Sequence, residues 1–334
     1  MPAKPIAIVT GGAGFIGSHT TDLLLARGYA VRVIDNLVGG REANIAQHAR
    51  NPDVVFDKRD VRALAPDDKL FSGARIVIHF AGIGDIVPSI ERPAEYMSAN
   101  VQGTVAVLEA ARHARVSKLV YAASSSCYGL AATPTREDHP IAPQYPYALS
   151  KYQGEQAVFH WGQVYKLPVN SIRIFNAYGT RSRTSGAYGA VFGVFLKQKL
   201  AGQPYTVVGD CTQRRDFVYV TDVAAAFLAA AETERTGEVW NIGSGNPQSV
   251  NRLVELLGGK YMHIPKRPGE PDVTFADISK ITRELGWTPK VCFEDGVAKI
   301  LAEIDYWRDA PLWTPDTIAQ ATETWFRMLA PARS

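Results

Sequence analysis

The chain has 334 residues, of which 46% are hydrophobic and 21% are charged, and its formal net charge is +3 at pH 7. These values are typical of a globular protein with one large domain or two fused ones, and the small net charge gives no case for nucleic-acid binding. Cys127, Cys211 and Cys292 are far apart and lack metal-ligand spacing, which argues against a structural metal site and for a reducing compartment. No apolar run approaches the ~18 residues of a membrane span, and we expect a cytoplasmic protein without an anchor.

A glycine-rich turn joins the first predicted strand to the first predicted helix. Residues 6–10 form a short apolar run that is typical of a buried parallel strand, and the helix after the turn is predicted to extend through Leu25. Glycines in such a turn permit a close approach of the backbone to a dinucleotide pyrophosphate, which rests on the helix N-terminus. The residues expected to contact a cofactor here are Gly11, Gly14, Phe15, Ile16 and Gly17.

An acidic residue ends the second predicted strand, which covers residues 31–34. Asp35 lies about twenty residues beyond the turn, where a carboxylate can bind the ribose hydroxyls of NAD and repel the extra phosphate of NADP. Asn36 is a further candidate for cofactor binding. Asp35 could instead cap a loop, and Arg41 is close enough in sequence to leave NADP open. NAD is the predicted cofactor.

Strands and helices continue to alternate through the first half. Further strands are predicted over residues 53–57, 75–80 and 118–122, with a long helix over 94–115. The pattern predicts an α/β fold of the Rossmann type, a doubly wound parallel sheet whose ligands lie at the carboxyl ends of the strands. Candidate cofactor contacts in this stretch are Asp60, Val61, Phe80, Ala81, Gly82 and Asn100. His79 has apolar neighbours in its strand and is expected to be satisfied in the core.

A tyrosine and a lysine four residues apart follow a cluster of serines. Residues 124–126 are three serines just after a predicted strand, where this fold places its chemistry. Tyr147 and Lys151 share one face of a helix whose first residue is predicted to be Pro146. The ammonium group and the helix dipole are predicted to lower the pKa of the tyrosine from its usual ~10, which would produce a base for an alcohol proton.

The glycine-rich turn 11–17, the serine cluster and the motif Tyr147-x-x-x-Lys151 occur in this order, which resembles the extended short-chain dehydrogenase/reductase family acting on sugar nucleotides. Three later segments, residues 173–179, 214–220 and 267–270, are similar to further motifs of that family. The resemblance therefore covers nearly the whole chain. It implies bound NAD and catalysis by Ser124, Tyr147 and Lys151.

The later segments imply a site for a nucleotide-sugar diphosphate. By the resemblance, Phe175 meets the nicotinamide, Asn176 and Arg215 bind the substrate diphosphate, and Arg267 supplies a second arginine. Two arginines match the charge of a diphosphate through charge-assisted hydrogen bonds. Two loop arginines that could also hold phosphate, or could simply be solvated, are Arg181 and Arg183.

The serine cluster indicates which reaction of the family to expect. Family members that remove water across C5 and C6 resemble one another in carrying Thr-Asp-Glu at the positions of residues 124–126, and decarboxylating members usually keep the glutamate. This chain has no carboxylate at these positions and so resembles the 4-epimerases. Residues 121–126 and 185–188 are most similar to bacterial epimerases of UDP-N-acetylhexosamines. The candidate substrate contacts on the sugar side are Ser125, Ser126 and Thr274.

Thr274 lies where glucose-restricted bacterial epimerases have a tyrosine. As the resemblance implies, a small residue leaves room for a 2-acetamido group, although Thr274 could equally be an ordinary strand threonine.

The predicted reaction is a redox-neutral inversion at C4 of a UDP-hexose or a UDP-N-acetylhexosamine through a 4-keto sugar. Tyr147 would take the proton of the C4 hydroxyl, and Ser124 would hydrogen-bond the same oxygen and relay the proton. A UDP-glucuronate 4-epimerase and a 4-keto reductase on the same scaffold remain open alternatives. A non-enzymatic NAD(P) sensor would not need Ser124, Tyr147 and Lys151 together.

Residues 1–175 are predicted to form the NAD-binding domain and residues 176–334 mainly a smaller C-terminal substrate-binding domain, with the chain returning to the sheet near residues 237–243. A helix is predicted to start at Thr314-Pro315. Tail aromatics expected to pack this helix onto the body, or to form a dimer contact or a partner surface, are Trp307, Trp313 and Trp325. The resemblance also implies a homodimer and a role in polysaccharide biosynthesis.

Overall fold

The computed structural model describes residues 4–182, 191–210 and 212–329. Within these residues the strands are β1 (Ile6–Thr10), β2 (Ala30–Ile34), β3 (Val54–Asp57), β4 (Ala74–His79), β5 (Lys118–Ser124), β6 (Val169–Ile174), β7 (Asn176–Tyr178), β8 (Tyr205–Val208), β9 (Arg214–Arg215), β10 (Phe217–Tyr219), β11 (Glu238–Ile242), β12 (Gln248–Ser249) and β13 (Tyr261–Ile264). The helices are α1 (Phe15–Ala26), α2 (Ile86–Glu91), α3 (Pro93–Met97), α4 (Gly103–His113), α5 (Pro146–Tyr165), α6 (Val191–Leu200), α7 (Val220–Glu232), α8 (Val250–Leu257), α9 (Ser279–Leu285), α10 (Phe293–Ala302) and α11 (Pro315–Leu329).

Seven parallel strands form the main sheet in the order β11-β6-β5-β4-β1-β2-β3. The chain winds outward from β1 to β3 and then from β4 to β11 on the other side, so the winding direction reverses between β1 and β4. Ligands of such sheets bind at this reversal, outside the carboxyl ends of the strands. The prediction of a doubly wound Rossmann-type sheet is confirmed.

Apolar side chains cover both faces of the main sheet. Along β1, Ala7 and Val9 belong to the core beneath α1 and α7, whereas Ile8 belongs to the core beneath α4 and α5. This alternation follows from the two-residue period of a strand, and both faces are apolar because helices cover both. The sheet is therefore a rigid floor for the loops at its carboxyl edge.

The second half of the chain adds small elements around a separate core. Its short strands pair as β7 with β10, β9 with β12 and β8 with β13. Large buried side chains of this core include Phe192, Phe195 and Trp307. The strand β11 lies beside β6 in the main sheet, so the second half also completes the first. The division into two domains at residue 175 stays a prediction.

The predicted helix over 94–115 is interrupted. The structure has α3, a π-helical segment at Ser98–Gln102, and then α4; the short helix α2 before them was not predicted. Inside the π-helical segment, the side-chain amide of Asn100 binds the backbone of Ile83 and the hydroxyl of Ser150. Short π-helical segments often occur at functional sites because they redirect a side chain. None of the helices in the described part of the chain is long and apolar enough to cross a membrane.

Candidate active site

The glycine-rich turn forms a cradle at the start of α1. A Cβ on Gly17 would lie 2.1 Å from the carbonyl oxygen of Gly11, so only glycine fits at this position. Gly14 is the N-cap residue of α1 and has no side chain to bind the amides of the first turn. Unsatisfied amides at a helix N-terminus attract an anionic group, and the turn therefore fits a dinucleotide pyrophosphate. Phe15 and Ile16 pack against the separate core of the second half, which we call the second core.

Asp35 lies against this cradle and also caps its own loop. One carboxylate oxygen accepts hydrogen bonds from the amide of Ala13 at 3.0 Å, and the other accepts from the amide of Leu37 at 2.8 Å. Burial raises the pKa of Asp35, and the backbone amides act in the opposite direction. The alternative role as a loop cap is thus present in the structure. Binding of ribose by the remaining lone pairs stays a prediction.

The predicted adenine side contains an ordered polar group. Asp60 accepts a hydrogen bond from the side chain of Asn36 at 2.8 Å and forms an ion pair with Arg62. The hydrogen bonds from Arg62 lower the pKa of Asp60 to about 2. The neighbouring Val61 is buried in the core beneath α4 and α5. Arg41, which left NADP open, lies over the ring of Tyr306, 5.3 Å from its centroid.

The carboxyl end of β4 forms the floor of the site. The ring of Phe80 packs on Phe227, and Ala81 and Gly82 follow at the edge of the sheet. A Cβ on Gly82 would lie 2.7 Å from the side-chain oxygen of Asn100 and 3.9 Å from Nζ of Lys151, so the residues that follow this strand lie near the predicted catalytic lysine.

His79 is a core residue, as predicted. Its two ring nitrogens bind the hydroxyls of Thr10 and Thr104, and burial lowers its pKa to about 3. The side chain is therefore neutral and fully satisfied between two strands and a helix.

Three predicted catalytic residues meet where β5 ends and α5 begins. Ser124 is the last residue of β5, and α5 begins at Pro146, so that Tyr147 lies in the first turn of the helix. A hydrogen bond from the Ser124 hydroxyl lowers the pKa of Tyr147, but burial raises it by more, and the net pKa lies above its ordinary value. The prediction of a lowered tyrosine pKa is therefore wrong for the protein alone. The cause is that desolvation of a buried phenolate outweighs the favourable contacts.

Lys151 is also buried, which limits its effect on the tyrosine. Its Nζ lies 4.4 Å from the centroid of the Tyr121 ring, and burial lowers its pKa to about 7, with Glu155 acting in the opposite direction. Glu155 is itself held by a buried ion pair with Arg173 at 2.7 Å. The charge of the Lys151 ammonium is thus stabilised by the carboxylate of Glu155, whose own charge is neutralised by Arg173.

The sequence analysis did not single out Tyr145, which stacks on Tyr147. The rings of Tyr145 and Tyr147 are nearly parallel, at 9°, with centroids 6.3 Å apart. Burial raises the pKa of Tyr145 to about 12, while a hydrogen bond with Ser126 acts in the opposite direction. The Ser126 hydroxyl lies 2.9 Å from that of Ser124. The one sequence signal for Tyr145 was its position directly before Pro146.

Ser125 and Ser126 belong to a 3₁₀ turn that continues β5, and the Ser124 hydroxyl accepts the amide of Ser126 at 3.2 Å. Phe175 lies at the joined ends of two strands, where its amide binds the carbonyl of Ile242 in β11. These residues therefore line the same edge of the sheet as the catalytic group.

The predicted diphosphate residues are assembled around Glu270. The guanidinium of Arg215 donates to Glu270 at 2.9 Å, and Arg267 donates to both of its oxygens at 2.8 and 2.9 Å. Beside them, the Thr274 hydroxyl donates to the side-chain oxygen of Asn176 at 2.6 Å. The resemblance predicted that four of these residues belong to one site but implied no role for Glu270. The four are Asn176, Arg215, Arg267 and Thr274.

The structure describes only one of the two loop arginines that could hold phosphate. Arg181 forms an ion pair with Asp22 of α1 at 2.8 Å, whereas Arg183 lies outside the described residues. Over the ranges that the structure describes, no three His, Cys, Asp or Glu side chains group closely enough to hold a metal ion.

Comparisons with known proteins identify relatives of this chain. The model of the NAD dependent epimerase/dehydratase family matches residues 7–243. The UDP-glucose 4-epimerase of Mycolicibacterium smegmatis is 34% identical over 306 residues, which cover 87% of this chain and 96% of the relative.

Two solved structures are similar to nearly the whole chain. The UDP-glucuronic acid 4-epimerase of Bacillus cereus, in complex with UDP-glucuronic acid and NAD, has a TM-score of 0.84 and 31% identity, with coverage of 90% of this chain and 99% of that one. The UDP-N-acetylglucosamine 4-epimerase of Methanobrevibacter ruminantium has a TM-score of 0.84 and 28% identity, with coverage of 91% and 100%.

Proposed function

Because the chain belongs to the NAD-dependent epimerase/dehydratase family, we propose that it inverts C4 of a UDP-hexose or a UDP-N-acetylhexosamine through a 4-keto sugar. The observation that carries this proposal is the group of Ser124, Tyr147 and Lys151 at the end of β5, without a carboxylate at positions 124–126. Such a group can move a proton to and from an alcohol, and it lacks the acid and base that an elimination needs.

The cradle of the glycine-rich turn, with its uncapped helix start, fits NAD. When bound, NAD+ supplies the acceptor for the C4 hydrogen with its electron pair, a positive charge that favours phenolate, and the return of that hydrogen to the opposite face of the sugar. Asp35 and the glycine-rich turn would hold the cofactor, and Asn100 fixes the backbone of Ile83 in the segment that follows β4.

Tyr147 acts as the base and then as the acid. Its phenolate takes the proton of the C4 hydroxyl as the carbonyl forms, and its phenol returns that proton when the hydroxyl is restored. Ser124 donates to the same oxygen, and its own position is fixed by the amide of Ser126. The protons and electrons balance over the cycle, so no external oxidant or reductant is consumed.

The arginine pair holds the nucleotide while the sugar turns over. Arg215 and Arg267 bind the diphosphate by charge-assisted hydrogen bonds, and the amide of Asn176 binds beside them. The keto sugar can then rotate about its bond to the diphosphate and present its other face. A fixed diphosphate and a mobile sugar are what inversion at a single carbon needs.

The group at C2 is assigned from Thr274. Its side chain is small and is bound to Asn176, which supports the proposal of a 2-acetamido group at C2, and the relative from Methanobrevibacter ruminantium is a UDP-N-acetylglucosamine 4-epimerase. The second candidate substrate is UDP-glucuronate, supported by the similarity to the enzyme of Bacillus cereus. A homodimer, a cytoplasmic location and a role in polysaccharide biosynthesis are further proposals that rest on the family.

An isotope experiment tests the reaction. Substrate deuterated at C4 is incubated with the enzyme, and the product is analysed by mass spectrometry and NMR. We expect the C4 epimer with the deuterium still at C4, because the cofactor takes and returns the same atom. Loss of the label, or a reduced or dehydrated product, would overturn the proposal.

A further inference from the structure

The C-terminal helix α11 carries an aromatic side chain into contact with the diphosphate residues. Trp325 is buried, with 4% of its surface exposed. Its indole Nε1 donates to the carbonyl oxygen of Pro268 at 2.7 Å, and the guanidinium carbon of Arg267 lies 5.1 Å from its ring centroid. The ring centroid of Tyr145 lies 6.4 Å from that of Trp325. Trp325 therefore contacts both the loop 266–270, which we call the arginine loop, and the tyrosine that stacks on Tyr147.

The same helix also contacts the NAD-binding half. It packs against α2, which begins a few residues after the strand end that carries Phe80 and Gly82. The helix α11 therefore bridges α2 and the loop 266–270, which lie on different halves of the molecule. A bridge of this kind can fix the distance between the arginine pair and the catalytic group.

Trp325 constrains the arginine loop in two independent ways. Its N–H bond holds the backbone at Pro268, and its ring covers the guanidinium of Arg267. The planar edge of that guanidinium is already bound to Glu270 through two hydrogen bonds. A guanidinium held by a carboxylate at its edge and by an indole at its face has lost most of its rotamer freedom before a ligand binds. Binding of a diphosphate then costs less ordering entropy.

We infer that Trp325 is a positioning residue of the nucleotide-diphosphate site, acting through Arg267, and that the C-terminal helix is thus a functional part of this site. The ligand class, a nucleoside diphosphate, rests on the proposed function. The attachment of α11 does not depend on this side chain alone, because Ile318 anchors the same helix in the second core.

Calorimetric titration with UDP tests this inference without turnover. In the NAD-bound enzyme, Trp325→Leu should raise the Kd for UDP about tenfold, as expected when a cation loses its aromatic contact. Trp325→Phe, which keeps a ring but loses the N–H bond, should lie between Trp325→Leu and the wild type. The matched control is Trp313→Phe in the same tail, which should leave the Kd unchanged.

A double-mutant cycle separates positioning from simple packing. In an Arg267→Ala background, Trp325→Leu should have little further effect on the Kd, because the residue through which it acts is gone. In kinetics, Trp325→Leu should raise KM and change kcat by less than about threefold. An unchanged Kd in Trp325→Leu, or a full additional loss in the Arg267→Ala background, would overturn the inference.

The outcome for the proposed function is read separately. If the wild type binds UDP and Trp325→Leu weakens it, but no UDP-sugar is epimerised, the inference stands and the proposed reaction is wrong. If UDP-sugars are epimerised and UDP binds Trp325→Leu as well as the wild type, the inference is wrong and the reaction stands. A wild type that does not bind UDP would overturn both.

Discussion

Arg215 and Arg267 bind the same carboxylate, that of Glu270, from two different segments of the second half. All three side chains are largely buried. The two guanidinium groups are therefore assembled around one negative charge before any ligand is present. A diphosphate offers them the same type of partner, with a larger charge.

Removal of one arginine should weaken substrate binding more than catalysis. We expect Arg215→Ala to raise KM about tenfold or more, with kcat within a few-fold of the wild type, because the lost hydrogen bonds are made equally in the ground state and in the transition state. Arg214→Ala, one residue earlier, makes the same chemical change at a side chain that binds the carbonyl of Pro247 and serves as control. A fall in kcat without a rise in KM would show that the assignment is wrong.

We expect the phenol of Tyr147 to be required for proton transfer. Tyr147→Phe keeps the ring and its stacking on Tyr145 but should lower kcat by on the order of 100-fold or more. The control is Tyr205→Phe, since that hydroxyl binds the carbonyl of Gly258 away from the site. Steady-state kinetics with the best UDP-sugar give the comparison, and a kcat within a few-fold of the wild type would exclude Tyr147 as the base.

The size of residue 274 should decide between sugars. Thr274→Tyr is expected to lower kcat/KM for UDP-GlcNAc relative to UDP-Glc by about tenfold or more, because the larger side chain fills the space for the acetamido group. Thr274→Val also loses the hydrogen bond to Asn176 but stays small, so its ratio should match that of the wild type. If the tyrosine variant keeps the ratio, Thr274 is an ordinary packing residue.

Burial of Lys151 should make folding stability depend on pH. The pKa of Lys151 is about 7 in the folded protein, whereas an unburied lysine has a pKa of 10.5, so between these values the unfolded chain binds more protons. Stability should therefore rise with pH across this window, by up to about 1.4 kcal/mol per pH unit from this residue. Denaturant unfolding of cofactor-free wild type and Lys151→Met at pH 7 and pH 9 measures the difference. The same pH dependence in both proteins would contradict the burial effect.

The fold and the order of its motifs could be predicted because they depend on local patterns. Apolar runs of strand length, the glycines between β1 and α1, and the proline before Tyr147 each act within a few residues. The structure places these strands and the start of α5 within one or two residues of the predicted bounds, whereas α1 already begins at Phe15, inside the predicted turn. Resemblance to a family then connected segments that lie far apart in the chain.

Properties that depend on burial and long-range contacts could not be predicted. The spacing of Tyr147 and Lys151 suggests a lowered tyrosine pKa, but only the folded structure shows that both groups are buried and that desolvation dominates. Likewise, Trp325 contacts Tyr145 and Arg267 only when the tail reaches the arginine loop. No local pattern in the tail distinguishes an aromatic that packs from one that positions a neighbouring arginine.

The most direct test is an assay of the reaction itself, with UDP-GlcNAc and UDP-Glc supplied separately and no NADH added. Proton NMR of the sugar signals follows the C4 epimer over time. We expect conversion of at least one substrate to its C4 epimer without net change in absorbance at 340 nm, and faster conversion of UDP-GlcNAc. Conversion of neither sugar, or consumption of nicotinamide in proportion to product, would contradict it.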